Sequence, residues 1–145
     1  MMIESFFTPE EQQEIIHAIA QAELNTSGEI RVHIETYCRG NALQHAAKLF
    51  HQLGMHKTER RNGVLLYVAV KSRRLAIVGD KGIHQYVKQT FWDDLTEKIL
   101  SYFAQNQYKE GLIFGIAATG EKLKEYFPHQ PDDINELPDE ISFGK

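Results

Sequence analysis

Arg61-Asn62-Gly63-Val64-Leu65-Leu66-Tyr67-Val68-Ala69-Val70-Lys71-Ser72-Arg73-Arg74-Leu75-Ala76-Ile77-Val78-Gly79-Asp80 holds two strands and the turn between them. Val64 to Val70 is apolar almost throughout, the pattern of a central strand covered on both faces. Lys71-Ser72-Arg73 turns the chain back through Arg74 to Val78, and the run stops at Gly79-Asp80-Lys81-Gly82. Strands joined by a tight turn are antiparallel, so the end of the second lies beside the start of the first. Asp80 is therefore expected near Asn62.

Upstream, Ile30, Val32 and Ile34 alternate with Arg31, His33 and Glu35, which reads as a half-buried strand. Leu43, Ala46, Ala47, Phe50 and Leu53 mark a helix ended by Gly54. A helix between two strands is a crossover and permits parallel pairing. Glu29 then starts at the same sheet edge as Asn62 and Asp80. Before it, Thr8-Pro9-Glu10-Glu11 carries a cap, a proline at the first helical position and a capping-box glutamate, followed by Ile15, Ile16, Ile19 and Ala20 at helical spacing. Downstream, Ile83 and Val87 suggest a short helix, and Phe91, Leu95, Ile99 and Tyr102-Phe103 another. A last helix runs from Tyr108 to about Phe127, with Leu112, Ile116, Ala117, Leu123 and Tyr126-Phe127 inward and Pro128 at its end. The order predicts a single α/β domain, an α/β sandwich with a mixed sheet, over residues 1–128. Residues 129–145 form an acidic, proline-punctuated tail in which Ile134, Leu137, Ile141 and Phe143 are suited to dock on the domain.

The chain has 145 residues, 42% apolar and 25% charged, with a formal net charge of -4. That size supports one proper core. The balance offers no basic stripe for nucleic acid. The single cysteine, Cys38, excludes an internal disulfide and a cysteine-rich zinc site; near a strand end it reads as a small buried hydrophobe. The N-terminus lacks the basic region and apolar core of a signal peptide, and no apolar run approaches the roughly 20 residues of a bilayer span. The expectation is a soluble, cytoplasmic protein.

Several segments together resemble the TPM domain family, which is related to a thylakoid lumen acid phosphatase. They are Ser27-Gly28-Glu29-Ile30, Arg61 to Leu66, Arg74 to Ile83, Phe91-Trp92-Asp93, Tyr108-Lys109-Glu110-Gly111-Leu112 and Tyr126-Phe127-Pro128, spread over roughly residues 8–128. The resemblance implies a Rossmann-like α/β/α sandwich, a divalent-metal site, often calcium, at one sheet rim, and weak acid phosphatase activity in some members. Many members carry a signal peptide and a membrane anchor, neither of which is expected of this sequence. Asp93 is the best match for the family's acidic residue after the glycine pair.

Carboxylate oxygens suit hard divalent cations, so Asp80, Asp93, Glu29 and Asp94 are the expected metal ligands, centred on Asp80 and Asp93. Calcium is the first expectation and magnesium the second. The plainer alternative makes Asp80 a turn residue and leaves Asp93 and Asp94 facing the positive end of a helix dipole. His84 lies nearest the rim among seven scattered histidines and is expected to be a partly exposed surface residue; Tyr67, Trp92 and Phe103 are expected in the core. Three functions remain open. One is a non-catalytic or regulatory metal-binding domain. The second is a metal-dependent phosphomonoesterase in which Arg61 and Lys81 steady phosphoryl oxygens. The third is a metal-independent module for an unidentified protein partner. No Asp-x-Asp, Cys-x5-Arg or Arg-His-Gly pattern is present.

Overall fold

The computed structural model describes residues 2–130 and 139–144. Helix α1 (Pro9–Glu23) begins as its sequence dictates. Thr8 accepts from the Glu11 N–H, and the Glu11 side chain reaches back to the Thr8 N–H. Strand β1 (Glu29–Glu35) leads through α2 (Ala42–Gln52) to β2 (Gly63–Ala69), and a hairpin to β3 (Arg74–Gly79). Helix α3 (Lys81–Phe103) and α4 (Tyr108–Tyr126) follow, and the tail returns as a short strand, β4 (Ile141–Phe143). Lys88 interrupts α3 with φ 66°, so the two helices expected after Gly82 are the two arms of one kinked element.

The sheet order is β3-β2-β1-β4. β1 and β2 are parallel with Glu29 opposite Gly63, and β2 and β3 are antiparallel with Val64 opposite Gly79. β4 lies parallel to β1, pairing Ile141 with Val32. Two apolar layers clothe this mixed sheet. Ile30, Val32, Ile34, Val64, Leu66 and Val68 meet α1, α3 and α4 through Ile15, Ile19, Trp92, Ile99, Leu112 and Ile116. On the back, Leu65, Tyr67, Ala69 and Ala76 meet α2 through Ala46 and Phe50. Tyr67, Trp92, Phe103 and Cys38 are buried as expected.

Three sequence expectations need correcting. β1 is buried on both faces rather than half-buried, with Arg31 and His33 nearly sealed. Pairing with β4 makes β1 an interior strand, and its polar residues are held by side chains from neighbouring elements. On α2, Leu43 and Ala47 are exposed, because the inner stripe runs through Ala46 and Phe50 with Leu49 and Leu53 beside it. On α4, Ala117 is exposed, and Gly115, Thr119 and Gly120 take the inner face. Ile141 and Phe143 join the sheet and its core; Ile134 and Leu137 lie outside the described residues.

Candidate functional site

One edge of the sheet collects the ends of all four strands. Asp80 follows β3, Asn62 precedes β2, Glu29 opens β1 and Asp139 stands two residues before β4. Adjacent strands are about 4.8 Å apart, so these residues form a row along the rim. Backbone bonds fix the row: the Asp80 N–H donates to Gly63 O at 2.9 Å, and the Glu29 N–H to Asn62 O at 3.3 Å.

Asp80 is fully engaged. It caps α3, accepting from the Lys81 N–H at Oδ1. The Arg61 guanidinium adds a bidentate pair, Nε to Oδ2 at 2.7 Å and Nη2 to Oδ1 at 3.0 Å. This bond to Asp80 raises the Arg61 pKa above its ordinary value. Arg61 sits at φ 52°, a left-handed conformation that costs a residue with a Cβ. Its carbonyl accepts the Gly82 N–H at 2.8 Å. A Cβ on Gly82 would stand 2.2 Å from Arg60 O and 2.4 Å from Arg61 O, and one on Gly79 would meet the Trp92 ring at 2.5 Å. The glycines of Gly79-Asp80-Lys81-Gly82 are thus close-approach positions. Trp92 Nε1–H donates to His84 Nδ1 at 3.2 Å, which gives that half-buried histidine a structural partner.

Asn62 divides the row. It is buried, and its Nδ2 donates to Ser27 Oγ at 3.2 Å. Its Oδ1 is sealed from solvent without a hydrogen bond.

Beyond Asn62 the character changes. Glu23, Glu29 and Asp139 each offer a carboxylate oxygen, and the three atoms lie within 4.8 Å of one another. Glu23, in the last turn of α1, accepts the Ile30 N–H at 2.7 Å. Burial, then its bond with Asp139, then the charge of Glu29, push the Glu23 pKa up to about 10. The site therefore holds a proton at neutral pH where three carboxylates alone would repel.

Of the expected ligands, Asp80 and Glu29 lie on one rim but serve different clusters. Asp93 and Asp94 are exposed on α3, and Asp93 Oδ1 accepts from Gln89 Nε2 at 2.9 Å. Among the described residues, the His, Cys, Asp and Glu groups that converge within metal-binding reach are Glu23, Glu29 and Asp139. Sequence reading misses Glu23 and Asp139, since one reads as the solvated end of an amphipathic helix and the other as an acidic tail. Only the register of β4 brings the second to the first.

The fold is a mixed four-stranded sheet with three helices on one face and one crossover helix behind. The chain belongs to the TPM domain family, whose model matches residues 3–122. It is similar to the NMR structure of BA42 protein from the psychrophilic bacterium Bizionia argentinensis, at 47% identity over 98% of both chains with a TM-score of 0.90. The fold recurs in an N-terminal domain from P. gingivalis, at 19% identity and TM-score 0.71 over 87% of this chain and 83% of that one. It recurs again in the N-terminal domain of cg2496 protein from Corynebacterium glutamicum, at 13% identity and TM-score 0.65 over 81% and 74%. No curated protein matches the chain. Among the described residues, no helix is long and apolar enough to cross a membrane.

Proposed function

We propose that this TPM domain binds a divalent cation, calcium before magnesium, and that the cation's role is regulatory rather than catalytic. The observation behind this reading is the convergence of Glu23, Glu29 and Asp139 within 4.8 Å. Carboxylate oxygens fit hard cations, and calcium tolerates an irregular set completed by backbone carbonyls and water. A cation would replace the proton held by Glu23 and supply the charge the cluster lacks; binding should release protons and tighten as pH rises. It would also tie α1 and β1 to the residue that leads into β4. The case against catalysis rests on Arg61. This rim cation, one of the two suited to steady a phosphoryl group, is committed to Asp80 by two bonds.

The test is a calcium titration followed by amide chemical shifts, then repeated with magnesium. Saturable shifts confined to Glu23, Gly28 to Ile30 and Asp139-Glu140 are the expected result. Shifts confined to Gly79–His84 and Trp92–Asp94 would move the cation to the Asp80 side. No saturable shift at millimolar ion would remove the proposal.

A further inference from the structure

At the far end of β1 from the rim carboxylates, a second polar cluster lies on the back face of the sheet. His33 pairs with Tyr67 on one side and Ser142 on the other. Its Nδ1 lies 2.7 Å from Ser142 Oγ, and its Nε2 lies 3.0 Å from Glu35 Oε1. Glu35 is held in turn by the Tyr67 hydroxyl at 2.6 Å and by His45 Nε2 at 3.3 Å. The Tyr67 ring stacks on His33, with centroids 5.9 Å apart and planes 7° off parallel.

The donors and acceptors settle the tautomer. Burial works against ionisation of Glu35, yet its bonds with Tyr67, His33 and His45 together hold its pKa below the ordinary carboxylate value. An ionised carboxylate only accepts, so the His33 Nε2 facing it carries the proton. Nδ1 then presents a lone pair, and the Ser142 hydroxyl donates to it at 2.7 Å in preference to the Val32 carbonyl at 3.4 Å. Burial, opposed by Glu35 and assisted by His45 and Arg31, lowers the His33 pKa, which keeps the ring a neutral base at pH 7. A hydroxyl bonded to a base, which is oriented by a third group, is the arrangement of an activated nucleophile. Ser142 is half-buried on β4, the strand at the sheet's outer edge. His45, which also bonds Glu35, is exposed. Ser142, unlike His33, is therefore not sealed from solvent.

We propose that Ser142, His33 and Glu35 form a nucleophile, base and orienting carboxylate, with small carboxylic esters as the substrate class. Ser142 Oγ bonds to the acyl carbon as its proton passes to His33 Nδ1. The bond from that carbon to the leaving oxygen breaks; the leaving group takes the proton back from His33, or departs as its anion while the His33 imidazolium gives its proton to solvent, so that His33 is neutral again. Glu35 steadies the imidazolium in between. Water, deprotonated by His33, then attacks the acyl-serine; the bond from the acyl carbon to Ser142 Oγ breaks, His33 returns the proton to Oγ, and the carboxylic acid is released.

The experiment incubates the folded chain with p-nitrophenyl acetate, follows p-nitrophenolate release and maps acetylated peptides by mass. Expected is acetylation at Ser142 faster than in the urea-unfolded chain. The rate should rise with pH as His33 loses its proton and then level. His33→Gln should slow it by about a hundredfold, the usual contribution of a general base, with the amide spectrum confirming the fold. Ser142→Ala should lose the adduct and its share of the release. Three results would overturn the proposal: Ser142 modified no faster in the folded than in the unfolded chain, adducts only on tyrosine or lysine, or an unchanged rate in folded His33→Gln. The comparison with unfolded chain needs no variant, so it decides the matter even if a substitution disturbs β4.

Discussion

The two halves of the rim start from the same backbone geometry and end with opposite electrostatics. On one side Asp80 meets an arginine and a helix N-terminus, so its charge is answered by two donors on the guanidinium and one on the backbone. On the other, Glu29 meets two further carboxyl groups, and the arrangement is tolerable because Glu23 is pushed up to about 10 and stays protonated. Asn62 stands between them. A carboxylate at a strand end is therefore not a ligand by position alone. Its neighbours decide whether it is a structural cap or a candidate ligand for a cation.

The strongest way to break this contrast is Gly82→Ala. The new methyl would meet two backbone carbonyls that cannot swing aside. A loss of about 3 kcal/mol, the upper end of ordinary overpacking, is expected in urea unfolding, with amide shifts concentrated around Arg60 to Asn62. The next effect is on ligation. Calcium at about a hundred times its Kd should raise stability by about 2.7 kcal/mol. Glu29→Gln should abolish that gain, whereas Asp80→Asn should retain it, as read from melting with and without the ion. If Asp80→Asn lost the gain and Glu29→Gln kept it, the assignments of the two halves would have to be exchanged.

A third effect is the pH dependence without metal. Unfolded, Glu23 titrates near 4.5; folded, near about 10. The unfolded chain binds fewer protons between those values, so stability present below about pH 4.5 is lost as pH rises toward 10. The slope from this group cannot exceed about 1.4 kcal/mol per pH unit. Glu23→Gln should flatten it in unfolding series from pH 5 to 9, and an unchanged slope would contradict the protonated state described for Glu23. The smallest effects belong to Asp93→Asn and Asp94→Asn. Both residues are exposed on α3, and stability should move by no more than about 0.5 kcal/mol with calcium shifts unaltered.

Much of the fold was legible in the sequence. The capping box at Thr8, the apolar run from Val64 and the short turn before Arg74 are local signals, and each became the element expected of it. The crossover through α2 made the parallel pairing of β1 and β2 readable, and with it the shared edge of Glu29, Asn62 and Asp80. The alternation in β1 misled, because a polar residue sealed by partners looks the same in sequence as one facing water. His33 and Arg31 are such residues. The exposed side of α2 was misjudged at Leu43 and Ala47 for a related reason. A short helix with scattered apolar residues admits more than one inner stripe.

The sequence by itself determined the helices, the central strands and the edge where acidic residues gather, since capping, periodicity and turn chemistry act over a few residues. The tertiary structure alone decided which acids share that edge. Arg61 reaches across 19 residues to occupy Asp80, and β4 returns from the far end of the chain to set Asp139 beside Glu23 and Glu29. Ion pairing and carboxylate crowding depend on distances of a few ångströms between residues remote in sequence. Those distances exist only once the sheet register is fixed.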